Sequence, residues 1–203
     1  TAQRVFKSNE PVGVLDKLGL LGAWGIAKSD DEQDIFVASY KSDAIVHFNV
    51  GAEGKLKLIQ RINSTSLQKA ALGSPVDVIH VQQTGELFVA GFGNNTISIL
   101  SQQLNGSYAL KQQLSNGKNN VSNLVNPQKL MLSKSGLYLY VACAGSNTIA
   151  VFKRTDSGFN YLQSVTSNDV SSGLKSVGSL AISTDGKYLF AGGENDAGLL
   201  VFD

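Results

Sequence analysis

The chain's two histidines are His47 and His80, and its one cysteine is Cys143, so nucleophilic, proton-shuttling and metal-binding chemistry rest on few side chains. The histidines lie 33 positions apart in separate apolar stretches, without the His-Glu-x-x-His spacing that puts two imidazoles on one metal. Asp77 stands three residues before His80, but no Gly-x-Ser-x-Gly elbow accompanies the pair, so a hydrolytic triad is not expected. Cys143 ends the apolar run Leu137-Tyr-Leu-Tyr-Val-Ala-Cys143 and reads as a small buried hydrophobe. A lone cysteine also excludes an intrachain disulfide and a multi-cysteine metal cluster. Asp30-Asp-Glu-Gln-Asp34 offers the carboxylate oxygens a hard cation needs, with Glu194-Asn-Asp196 a weaker second case. Neither has the calcium-loop pattern with its central glycine, and both read better as solvated turns. Neither cofactor nor metal is expected. Sequons begin at Asn63, Asn94, Asn105 and Asn120, and in a chain this rich in Asn and Ser they read as chance matches.

Composition narrows the partners. The 203 residues carry 17 Lys and Arg against 16 Asp and Glu, a net charge of +1, so no charge field points to nucleic acid or an anionic membrane surface. No apolar run reaches the 18 residues of a spanning helix, so membrane insertion is not expected, and the chain begins at Thr1 without a secretory leader pattern. Gly, Asn and Ser (21, 15 and 23) make up 59 residues, which implies many turns, while 42% hydrophobic residues suffice for a core.

Internal repetition decides the fold. Val89-Ala-Gly-Phe-Gly-Asn-Asn-Thr-Ile-Ser-Ile-Leu100 aligns without a gap with Val141-Ala-Cys-Ala-Gly-Ser-Asn-Thr-Ile-Ala-Val-Phe152, 52 residues on, and with Val37-Ala-Ser-Tyr-Lys-Ser-Asp-Ala-Ile-Val-His-Phe48, 52 residues back. A fourth copy, from Phe190 to Phe202, fits with one residue inserted, which puts the repeated alanines at 38, 90, 142 and 191. Within each copy a β-branched run leads to a polar turn ending in Gly85, Gly136 or Gly186. A second run, the Asn-Thr-Ile strand and an alternating polar and apolar strand follow. Four antiparallel strands per unit of about 50 residues predict an all-β protein, a β-propeller of four-stranded blades with about four blades present. The expected layout is one domain over 1–203, with a fourth blade strand within 1–22 (at 3–7 or 12–15), blades at about 23–74, 75–126 and 127–175, and a partial blade at 176–203. That phase suits a ring whose two termini complete a shared blade, or a segment of a larger ring whose remaining blades lie in a parent chain, and the segment is the leading expectation.

Residues 126–154, Asn-Pro-Gln-Lys-Leu-Met-Leu-Ser-Lys-Ser-Gly-Leu-Tyr-Leu-Tyr-Val-Ala-x-x-x-Ser-Asn-Thr-Ile-Ala-Val-Phe-Lys-Arg, resemble a blade of the lactonase-like β-propellers, the family that includes 6-phosphogluconolactonase. They are also similar to surface-protein propeller repeats with Tyr-Val-x-Asn and Ser-Asn-Thr motifs. The resemblance covers roughly 23–203 and implies a seven-bladed ring. It also implies His, Arg and Glu on the axial face, the His near the start of an innermost strand. The matching starts here, Trp24-Gly-Ile, Val76-Asp-Val, Gln128-Lys-Leu and Val177-Gly-Ser, contain no His, so no catalytic residue is assigned.

Binding residues are therefore sought from blade geometry. The turns between second and third strands share a face with the long loops between blades, at 63–74, 115–126 and 166–175. This face should present Tyr40, Lys41, Phe92, Asn94 and Glu194, with Trp24 near the axis, where a packed Trp is the plainer expectation. The leading expectation is a non-enzymatic module whose loop-bearing face contacts a protein or a glycan, secreted, periplasmic or at the cell surface. The alternative is a lactonase-like hydrolase or isomerase with catalytic residues partly outside this segment.

Overall fold

The structure is a computed structural model that describes residues 18–68, 72–166, 168–170 and 173–203. The fourth-strand positions expected at 3–7 or 12–15 lie outside the described residues. Strands β1 (Ala23–Lys28), β2 (Asp34–Ser39), β3 (Ala44–Val50) and β4 (Leu56–Asn63) form an antiparallel meander, the first blade. The second comprises β5 (Pro75–Val81), β6 (Glu86–Gly91), β7 (Thr96–Gln102) and β8 (Tyr108–Ser115). In the third are β9 (Pro127–Leu132), β10 (Tyr138–Cys143), β11 (Thr148–Thr155) and β12 (Gly158–Val165). The fourth holds β13 (Val177–Ile182), β14 (Leu189–Gly193) and β15 (Leu199–Phe202). Beside them stand a 3-10 turn at Ala52–Gly54 and one α-helical turn, α1 (Ser64–Leu67), which Asn63 caps by accepting from the Ser66 N–H at 3.0 Å. The architecture is the expected β-propeller, with innermost strands packed in the series β1, β5, β9, β13.

Blades are held by apolar surface buried between them. Phe36, Ile45 and Ile62 of the first blade pack against Val78, Leu87 and Leu100 of the second. Phe88, Ile97 and Ile99 pack against Leu139, Phe152 and Phe159. Both seams are plugged by an aromatic from the next blade's outer strand. Tyr108 meets Phe36 edge-on at 5.9 Å, and Phe159 meets Phe88 edge-on at 5.5 Å. A glutamine receives each plug's hairpin: Gln60 Nε2 donates to the Gly106 carbonyl at 2.9 Å. Gln112 Nε2 donates to the Phe159 carbonyl at 2.8 Å and its Oε1 accepts from the Phe159 N–H at 2.9 Å.

A polar latch repeats at the other end of the seams. Asp43, Asn95 and Asn147 occupy one position of the turn between second and third strands, all with left-handed φ of 46°, 57° and 56°. Their side-chain oxygens accept from the N–H of Ser74 (2.7 Å), Asn126 (2.8 Å) and Ser176 (2.7 Å), just before the next blade's first strand. In the fourth blade the register puts Ala197 at this position.

The register corrects the alignment of the last repeat. All four alanines lie in second strands, but Ala38, Ala90 and Ala142 oppose Gly25, Asp77 and Lys129, whereas the residue opposite the corresponding Ser179 is Gly192. Ala191 is one step out, so the fourth repeat follows the third without an insertion, at a spacing of 50 (142 to 192). Likewise Gly178, not Val177, corresponds to Trp24, Val76 and Gln128. Matching on alanine was misleading because glycine meets the same need for a small side chain there.

Candidate functional site

Each innermost strand opens with a β-bulge, and the extra residue is Trp24, Val76, Gln128 or Gly178. A bulge takes its residue out of the regular alternation of the strand. The four positions border a shallow cavity of about 240 Å³, shared with Ile26, Asp77 and Lys129. Gln128 and Gly178 also border an adjoining cavity of about 310 Å³ that reaches Ser176, Ser179 and Glu194, so the two form one axial groove. Glycine is required at Gly25, where a Cβ would meet backbone, while at Gly178 it spares the flexible Gln128 amide a shift. A Cβ on Gly25 would lie 2.5 Å from the Val76 carbonyl oxygen, and one on Gly178 would lie 2.6 Å from Gln128 Oε1.

Trp24 is 65% exposed and Ile26 is 68% exposed. Trp24 is thus not the packed tryptophan expected, whereas Val76, at the same bulge position of the second blade, is buried in a seam. Asp77, in contrast, is buried; it takes the Leu130 N–H at 2.8 Å and Lys129 Nζ at 3.1 Å, joining the second blade to the third. Burial raises the Asp77 carboxyl above its ordinary range, and the contacts from Leu130 and Lys129 pull against that rise. Lys129 remains partly exposed beside the groove. The groove therefore offers an indole face, an amide, an ammonium, a Ser hydroxyl and a carboxylate. Among the described residues, neither His nor Arg lines it.

Of the residues singled out in the sequence, Trp24 and Glu194 border this groove. Lys41 is exposed on a turn. Tyr40 and Phe92 pack edge-on to each other at 6.1 Å between blades, and Asn94 Oδ1 accepts from Thr96 Oγ1 at 2.6 Å within its own turn. Gln128, Lys129 and Ser179 were not singled out. Their signal was their place at or just after the start of an innermost strand, legible only once the bulge fixes which repeat positions face the axis.

The other titratable groups stand elsewhere. His47 and His80 lie toward the opposite end of the first seam, on either side of the Phe36 ring, at 4.4 and 4.8 Å between centroids. His47 Nε2 is 2.7 Å from Asp34 Oδ1, and burial lowers the pKa of His80. Asp31, in the acidic turn, accepts from Ser29 Oγ, the Gln33 N–H and Gln82 Nε2, which ties the turn to the second blade. Buried Glu86 accepts from Arg154 Nη2 and Lys111 Nζ, both at 2.8 Å, and from Thr84 Oγ1 at 2.9 Å. The Cys143 thiol, fully buried, is pushed up to about 12 by desolvation and is not an ionised nucleophile.

No protein-family model matches the chain, and no curated protein matches it. Solved structures do. A protein from Lactobacillus plantarum matches with a TM-score of 0.68 at 19% identity, over 89% of this chain and 53% of that one. The periplasmic gluconolactonase of Pseudomonas aeruginosa matches with a TM-score of 0.63 at 13% identity, over 89% and 56%. A provisional 6-phosphogluconolactonase from Bacteroides fragilis matches with a TM-score of 0.53 at 14% identity, over 91% and 67%. The chain thus spans little more than half the length of the first two. At these identities the likeness establishes the class, a β-propeller of the shape lactonases use, and no particular activity.

Proposed function

We propose that this chain is a binding module whose axial groove takes a saccharide. The observation that carries the reading is the exposed Trp24 indole on a groove otherwise lined by Gln128, Lys129, Ser179 and Glu194. A sugar ring presents an apolar C–H face to an aromatic surface and hydroxyls to amide, ammonium and carboxylate groups, the mixture found there. The groove's volume suits a small molecule better than a protein element. Residence outside the cytoplasm belongs to the same proposal; its support is that the Pseudomonas aeruginosa neighbour is periplasmic.

Trp24 is the chain's only tryptophan, so its emission reports on the groove alone. Titration with neutral, amino and uronic-acid oligosaccharides should give a saturable blue shift with at least one class, abolished in Lys129→Ala. If none of them moves the emission at millimolar concentration, saccharide binding is wrong.

Hydrolysis of a sugar lactone is a second reading, supported by the gluconolactonase among the structural neighbours. Asp77 is the buried carboxylate at the groove, but it is held by Lys129 and Leu130, and among the described residues no His or Arg borders the groove to carry a proton or an oxyanion. Lactone turnover by this chain is expected at background. A rate above background that disappears in Asp77→Asn would establish the hydrolase instead.

A further inference from the structure

The charges along the axial groove are not equally free to meet a ligand. Lys129 Nζ lies 3.1 Å from Asp77 Oδ1, and that carboxylate side chain is 5% exposed, so the two charges offset each other at the groove wall. Glu194 is exposed on the turn after β14 and borders the cavity of about 310 Å³ with Gln128, Ser176 and Ser179. Among the described residues, the Glu194 carboxylate, the Gln128 amide and the Ser179 hydroxyl have no hydrogen-bond or ion-pair partner. Asp196, two positions on, is engaged with the Gly173 N–H. Lys41 and Lys175 are exposed on nearby turns and border neither cavity. The uncompensated charge among the described groove residues is therefore one carboxylate.

The groove also changes character along its length. Its smaller cavity begins at Trp24, Ile26 and Val76, and its larger one ends at Glu194. A ligand that spans both must offer an apolar ring face at one end and a hydrogen-bonding cation at the other. We infer that the groove selects an amino saccharide, an oligomer of unacetylated hexosamine, with one ring on Trp24 and the ammonium of a neighbouring ring on Glu194. This inference rests on the saccharide reading above and names the class of sugar. A uronic acid would set its carboxylate against Glu194, while Lys129 is already paired with Asp77. A neutral or N-acetylated sugar would leave Glu194 without a counter-charge. An ammonium donates to the carboxylate through a charge-assisted hydrogen bond, stronger than the neutral ones Gln128 and Ser179 can add.

The test titrates Trp24 emission with oligomers of equal length built from glucosamine, from N-acetylglucosamine and from a uronic acid. The glucosamine oligomer should bind about three- to tenfold tighter than the N-acetylated one, the scale of one partly exposed charge pair, and the preference should shrink as sodium chloride is added. The uronic oligomer should bind weakest. Glu194→Gln should bring the glucosamine oligomer to the affinity of the N-acetylated one, and Glu194→Asp should restore part of the preference. Equal affinity for the glucosamine and N-acetylated oligomers, tightest binding of the uronic oligomer, or a preference that survives Glu194→Gln would overturn the inference and leave the saccharide reading standing. No change in emission with any of these oligomers would overturn both.

Discussion

Glu86 shows how a single carboxylate couples two blades. Burial alone would raise its pKa, but hydrogen bonds from Arg154, Lys111 and Thr84 outweigh burial and hold it down to about 2. A folded pKa below the unfolded value of about 4.5 gives stability that is fully present above the unfolded pKa and disappears as pH falls toward 2. Urea midpoints measured between pH 6 and pH 2 should therefore fall through the acid range, and Glu86→Gln should flatten part of that fall. Near neutral pH the variant should lose about 2–3 kcal/mol, because Arg154 and Lys111 are left facing a neutral amide. Gly25 is limited by space. With the Val76 carbonyl 2.5 Å from where a Cβ would stand, Gly25→Ala must push β1 off β5 and should cost about 1–3 kcal/mol, read from the same midpoints.

At the level of elements, the latch turns carry a separable prediction. Asn147 accepts the Ser176 N–H at 2.7 Å from a left-handed backbone. Asn147→Ala loses the bond and strains the turn, for about 1–2 kcal/mol. Asn147→Gly loses only the bond and should recover part of that, since glycine enters the left-handed region without a Cβ clash. The bulges at the starts of β1, β5, β9 and β13 are elements of the same kind. They bring Trp24 and Gln128 to one groove although those residues are 104 positions apart (24 to 128).

For the whole molecule, the two largest apolar clusters lie between neighbouring blades. Phe159 is fully buried, packing on Phe88 at 5.5 Å and under the Arg154 guanidinium at 4.6 Å, so it touches both sides of the second seam. Phe159→Ala should cost about 3–5 kcal/mol, read by thermal or urea unfolding. The lost volume lies between two sheets that cannot close on it without moving a whole blade.

The sequence by itself determined the blade. Strand alternation and a spacing near 50 residues are local patterns, and each copy writes them afresh, so the all-β class, the strand order and the positions of the turns were legible without coordinates. The place of Trp24 at the start of an innermost strand followed from the same alignment. Its exposure did not, because Val76 holds the same bulge position and is buried, so exposure there depends on packing that the repeat does not write. Tyr40 and Phe92 read alike in sequence as aromatic turn residues, yet the tertiary structure packs them on each other. Asp77 and Lys129 hold the same repeat position 52 residues apart, and only the packing of neighbouring blades makes them an ion pair. Contacts within a blade repeat with the sequence, whereas contacts between blades join residues from different copies. The groove and the latches were therefore decided by tertiary structure.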